Sequence, residues 1–247
     1  MSSQHRASAH KEEQQLLFTS IFIPLVFVAL MWLVAIFEFV TEIDLSSWGI
    51  YPLKLSGLRG VLFSPFIHGD WQHLMSNTLP FLIMGFLLFY SYRKVAFKSL
   101  LFIYLASGFM VWLIGRPAYH IGASNIVYGF AFFLFFSGAF RKDIQSIAMS
   151  LLVVFLYGSI VWGLLPFKWE ISWEGHLMGG LAGAFMAFVY RKVDLPPQEE
   201  EEDDEDDEDD AYFAESGAYW MRTEDNAQMR YRYIPKPKDV HGTDTDK

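Results

Sequence analysis

The sequence predicts an all-α polytopic membrane protein: six transmembrane helices, a first loop lying in the membrane interface, and a disordered acidic C-terminal tail. Three observations lead there. Of the 247 residues, 53% are hydrophobic and 18% aromatic, far above a soluble domain. Six apolar runs follow one another, each bounded by polar residues or helix breakers. Arginine and lysine collect at every second boundary, as Arg93/Lys94/Lys98, Arg141/Lys142 and Arg191/Lys192.

Residues 1–15 are polar and form a cytoplasmic N-terminal segment, and the membrane domain is expected over 16–192. The first run, Leu16 to Val40, is broken only by Pro24 and Glu38. It is too long for a signal peptide and lacks an Ala-x-Ala site, so it reads as a retained span. Residues 41–72 mix Gly and Pro breakers with Trp48, Tyr51, Phe63, Phe66 and Trp71. That mixture suits a folded loop at headgroup level. Further spans are expected at His73–Tyr92, about Leu100–Ile114, Ser124–Phe140, about Ile147–Leu165 and Gly175–Tyr190, with a turn through Pro166, Lys168 and Glu170. Several are short for a bilayer, which tilt or local thinning accommodates. The positive-inside rule puts both termini in the cytoplasm, and Ser124, His73 and His176 then lie near the outer ends of their helices.

The formal charge of −9 is uneven. Glu199 to Asp210 is an unbroken run of twelve acidic residues; without it the remainder carries +3. Residues 193–247 cannot bury a core and are expected to be disordered and cytoplasmic. Within them, 231–238 reads as a solvated tail or as a docking peptide. The absence of cysteine excludes disulfides, thiolate catalysis and cysteine-ligated metals. No cofactor, metal or nucleic-acid partner is expected; the lipid bilayer is.

Polar groups inside spans are costly and are paired or functional. His73 and Asn77, four apart, share a helix face. They either bond neighbouring helices or aim donors at a developing oxyanion. Gly122-Ala123-Ser124 places a hydroxyl at a helix start, where Ser is a favoured cap but where helix N–H groups also stabilise an anion. Gly175, Gly179, Gly183 and Ala187 form a small-residue stripe that lets another helix approach closely. His176 lies on or beside that stripe. If the partner is the fourth span, His176 meets Ser124 and can act as its base, with Tyr128 one turn below packed on the imidazole. His120, close in sequence to Ser124, is a rival base. Asp70 and Glu174, at helix mouths, read as solvated charges, so a pair without a third carboxylate is expected.

Three segments in this order, His68-Gly69-Asp70-Trp71-Gln72-His73-Leu74-Met75-Ser76-Asn77, Gly122-Ala123-Ser124 with Tyr128, and His176-Leu177-Met178-Gly179 with Gly183, resemble the rhomboid family of intramembrane serine proteases (bacterial type) across residues 16–192. The resemblance implies a rhomboid-like six-helix bundle in a bacterial inner membrane. It implies Ser124 as nucleophile and His176 as general base and then acid. His73, Asn77 and the Ser124 backbone N–H would form the oxyanion hole, Gly122 would admit the substrate backbone, and Tyr128 would orient His176. His68 would anchor a loop. Single-span membrane proteins, cut near the outer face, would be the substrates. Asn125 stands where the family commonly has glycine, which predicts a narrower site or an altered turn at Ser124. The family's Trp-Arg pair in the first loop has no clear match, since Leu58 precedes Arg59. The alternative is a catalytically silent relative that binds transmembrane helices. A small transporter fits less well, because the spans hold no central Asp or Lys.

Overall fold

The computed structural model describes residues 3–167 and 171–193, without the side chains of residues 3–9 and 12. The expected tail from residue 194 onward, with its acidic run and the 231–238 segment, lies outside the described residues, as do Lys168 and Glu170 of the turn. Among the described residues seven α-helices follow in order: α1 (Ser3–Thr41), α2 (Gly60–Phe63), α3 (Trp71–Ser91), α4 (Ala96–Ile114), α5 (Ser124–Arg141), α6 (Ile144–Tyr157) and α7 (Trp173–Val189). Among the described residues there is no strand, only an isolated bridge between Ile50 and His120.

The long helices match the six apolar runs, with two differences. Helix α1 begins at Ser3, because the polar residues before Leu16 contain no breaker to stop it. The fifth run does not stay α-helical: after Tyr157 it tightens into a 3-10 segment over Gly158–Leu164. Among the described residues, four segments are long and apolar enough to cross a membrane, namely Glu13–Thr41, Trp71–Ser91, Ala96–Ile114 and Ile144–Leu164. Their outer faces carry large apolar side chains such as Phe22, Leu33, Phe109, Leu151 and Phe155. A continuous apolar exterior of this kind needs a non-aqueous surround.

The interior is built around α5. Ile126, Phe130, Phe133 and Leu134 are fully buried, packed among Leu74, Phe81, Met84 and Leu88 of α3 and Ile103 of α4. Helix α1 seals the far side of α3: the Trp32 indole donates to the Thr78 hydroxyl at 3.1 Å, and the Pro24 ring packs on Gly85. Proline is tolerated in both α1 (Pro24) and α3 (Pro80) because neighbouring helices support the freed carbonyls.

The loop between α1 and α3 is folded. Ile50 and His120 exchange backbone hydrogen bonds at 2.9 and 2.8 Å, and Leu53 N–H donates to the Trp112 carbonyl at 3.0 Å. Arg59 stacks 4.4 Å above the Trp48 ring and donates to the Ser47 carbonyl at 3.1 Å. A Trp–Arg pair therefore exists in space, assembled from residues eleven positions apart rather than from sequence neighbours.

Helices α5 and α7 meet through glycine. A Cβ on Gly179 would lie 1.9 Å from the Asn125 carbonyl oxygen, and one on Gly183 would lie 2.0 Å from that of Gly129. The contact is main chain on main chain, so no side chain can give way. Gly183→Ala is expected to cost about 3 kcal/mol as an overpacked contact. Gly158→Ala, whose Cβ would meet only Val154 at 3.8 Å, should cost well under about 1 kcal/mol on the same grounds. Thermal unfolding in detergent compares the two.

Candidate active site

Each side chain of the site owes its place to a local feature of the chain. Gly122 has φ +97°, a left-handed conformation that glycine alone adopts without strain. Its N–H donates to the Ser64 carbonyl at 2.8 Å. The turn it makes delivers Ser124 as the first residue of α5, where backbone N–H groups have no intrahelical partner.

The glycine contact with α7 brings His176 to this turn. Its Nε2 lies 3.0 Å from Ser124 Oγ, and its Nδ1 lies 2.8 Å from the Gly163 carbonyl oxygen. A carbonyl only accepts, so Nδ1 carries the proton and Nε2 presents its lone pair to the serine hydroxyl. Tyr128 stacks on the imidazole with ring centroids 4.0 Å apart and planes 7° from parallel. The Tyr128 hydroxyl donates to the Ile160 carbonyl at 2.6 Å. Both acceptor carbonyls belong to the 3-10 segment after α6. Gly163, which sequence reasoning missed, is needed there: a Cβ would lie 1.9 Å from the Tyr128 hydroxyl and 3.0 Å from His176 Nδ1. Its only sequence signal is that it is one of two glycines in a largely apolar run.

His73 and Asn77 stand beside Gly122. A Cβ on Gly122 would lie 2.6 Å from His73 Nε2 and 3.7 Å from Asn77 Nδ2. Asn77 is buried and donates one amide hydrogen to the His73 carbonyl at 3.0 Å, which leaves a second amide hydrogen on the same nitrogen. Ser124, His176, His73, Asn77, Gly122 and Tyr128 are thus brought together. Chemically, the arrangement pairs a hydroxyl with an imidazole that can take its proton, beside several N–H donors suited to an oxyanion.

Three neighbouring residues differ from expectation. His120 is not available as a base, because both ring nitrogens are engaged: Nε2–H donates to the Arg116 carbonyl at 3.1 Å, and Nδ1 accepts the Ser172 O–H at 2.6 Å. Burial also holds its pKa below the usual histidine value. Ser172 caps α7, accepting from Gly175 N–H, so His120 fixes the start of the helix that carries His176. Glu174 is not a solvated charge. It is only 5% exposed, lies 3.7 Å from Arg116 Nε and accepts from the Arg116 N–H at 3.4 Å. The reason is that the first turn of α7 is drawn under the α4–α5 loop, taking the carboxylate with it. Asp70 is exposed but caps α3, accepting the His73 N–H at 2.7 Å.

Asn125 does not narrow the site. Its side chain turns away into the bundle and donates to the Ser107 hydroxyl of α4 at 2.8 Å. Ser107 partners the buried amide nitrogen, while Oδ1 is buried without a hydrogen-bond partner. Ser124 keeps its contact with His176 regardless.

Arg116→Met would leave the Glu174 carboxylate buried without its cation and should destabilise the fold by about 3 kcal/mol. Arg116→Met/Glu174→Gln, which removes the uncompensated charge, should recover most of that loss. Unfolding midpoints of the two variants measure the difference.

Comparison with known proteins identifies the family of the chain. Residues 56–193 match the rhomboid domain. An uncharacterized protein of Mycobacterium tuberculosis is 38% identical over 174 residues, covering 67% of this chain and 72% of the relative. One of Mycobacterium leprae is 33% identical over 174 residues, covering 67% and 69%. With more than half of its length matched by that domain, this apolar helical chain is an integral membrane protein and belongs to the rhomboid family.

Proposed function

We propose that the chain is an intramembrane serine endopeptidase that cleaves transmembrane segments near the outer face of the membrane. The observation carrying this reading is the Ser124–His176 contact of 3.0 Å with the imidazole held in the matching tautomer by Gly163. His176 Nε2 takes the serine proton as Oγ attacks the scissile carbonyl, giving a tetrahedral oxyanion. The Ser124 backbone N–H, His73 and Asn77 donate to that oxygen. Collapse expels the amine, which leaves with the proton carried by His176, and Ser124 holds an acyl group. Water, deprotonated by the same nitrogen, attacks the ester and releases the second fragment. A backbone carbonyl takes the place of a third carboxylate, fixing the tautomer and lending partial negative charge to the imidazolium.

All six long helices span the bilayer in this reading, with both termini in the cytoplasm, in what we take to be a bacterial inner membrane. Helices α5, of 18 residues, and α7, of 17 residues, are the shortest spans apart from α6 itself and the least exposed to lipid, and they start below the outer surface. The basic clusters at Arg93/Lys94, Arg141/Lys142 and Arg191/Lys192 support the orientation. Water therefore reaches the serine from the outside, and substrates are single-span membrane proteins.

Ser124→Ala should reduce cleavage of a fluorescent single-span reporter by several orders of magnitude, as expected for a lost nucleophile. Retained activity would leave the reading without a nucleophile and favour a helix-binding relative. Gly163→Ala should lower kcat about ten- to a hundredfold with little change in KM, because it displaces the base and not the substrate. Steady-state kinetics on the reporter separate the two parameters.

A further inference from the structure

A cleft of about 330 Å³ opens between the end of α1 and the start of α3, on the same side of the bundle as Ser124. Its lining includes Glu38, Glu42, Asp44 and Asp70, and no lysine or arginine. Glu38 and Asp44 accept backbone N–H groups of Leu45 and Ser46 at 2.9 and 2.8 Å, which fixes their carboxylates in place. The Ser46 hydroxyl and N–H also hold Asp44 below the usual carboxylate range. An acidic lining alone can be a solvated rim, but His68 adds an independent sign of a ligand. It lines the cleft at 7% exposure, and both ring nitrogens are buried with no hydrogen bond of regular geometry, the Phe66 backbone being a weak polar neighbour. A buried, unsatisfied imidazole is costly unless something enters to meet it. Burial and the neighbouring His73 push its pKa down to about 4, so it meets a ligand as a neutral acceptor.

We propose that this cleft is a subsite for a cationic side chain, arginine or lysine, carried by the substrate polypeptide on the Ser124 side of the membrane. This rests on the protease reading above. The volume exceeds what a bare ion needs, and among the described residues no three His, Asp or Glu side chains converge as metal ligands do. Phe39 and Trp71, ring centroids 5.8 Å apart, give one wall an apolar surface for the alkyl stem. A substrate origin follows from the shared wall between cleft and active site. The His68 ring packs edge-on to His73 at 5.1 Å, and His73 in turn stands over Gly122. A chain lying across Gly122 is separated from the cleft by two imidazoles, those of His73 and His68.

The test is binding of labelled transmembrane peptides to the full-length Ser124→Ala chain in neutral detergent micelles. Two peptides of equal charge carry one arginine, either on the flank facing the Ser124 side or on the opposite flank, and a third carries glutamine. The first should bind about tenfold more tightly than the other two, and added salt should narrow the gap. In Glu42→Gln/Asp44→Asn, where the new amide oxygen can still accept the Ser46 N–H, the gap should close with glutamine-peptide binding unchanged. Equal binding of the two arginine peptides to the Ser124→Ala chain would overturn the proposal, as would a gap that survives in the double variant. The readout needs no turnover, so failure of the protease reading would show separately as absence of reporter cleavage by the wild-type chain.

Discussion

Helices α5 and α7 touch through main-chain atoms at Gly179 and Gly183, and the geometry of the site depends on that approach. An ordinary helix pair packs with axes roughly 8–10 Å apart because side chains stand between them. Here the Asn125 and Gly129 carbonyls occupy the space in which a Cβ would sit. Ser124 directly precedes Asn125, and His176 lies about one turn before Gly179, so both side chains sit at the edge of this contact. A wider spacing would put the hydroxyl out of reach of the imidazole. The same stripe that packs the bundle therefore sets the hydrogen bond at its end.

The remaining parts hold His176 in register. Tyr128 covers one face of the ring, the Gly163 carbonyl accepts the Nδ1 proton, and the Tyr128 hydroxyl is bound to Ile160. Two carbonyls come free because the chain after α6 winds as 3-10 helix, where fewer carbonyls are consumed by regular α-helical pairing. At this same end of α7, His120 and Ser172 fix the first turn, and Arg116 with Glu174 ties it to the α4–α5 loop. A buried ion pair is weak evidence for added stability. Its geometric effect is clearer, since it joins the two segments that carry Ser124 and His176.

Much of this was legible in the sequence where a residue's meaning depends on its own helix. The six apolar runs, the glycine stripe on α7, the pairing of His73 with Asn77 on one face and the place of Tyr128 all follow from periodicities of two kinds, apolar length and i+4 spacing. What escaped depends on contacts between distant segments. Gly163 looks like a dispensable glycine until Tyr128 and His176 are brought against it. Glu174 reads as a solvated charge until the loop bearing Arg116 closes over it. Asn125 looks obstructive after the serine, yet Ser107, eighteen positions earlier, gives it a buried partner. His120 was a plausible base on sequence proximity alone, and its engagement with Ser172 could not be foreseen from spacing.

Activation of Ser124 by His176, and by no other group, is tested most directly by reaction of the purified protein with a fluorophosphonate probe. Phosphonylation requires an activated hydroxyl but no substrate. The expected result is labelling of the wild-type chain and none of Ser124→Ala or His176→Ala, with His120→Ala still labelled if its fold is kept. Labelling of Ser124→Ala at the wild-type level, or a folded wild-type chain that does not react at all, would contradict it.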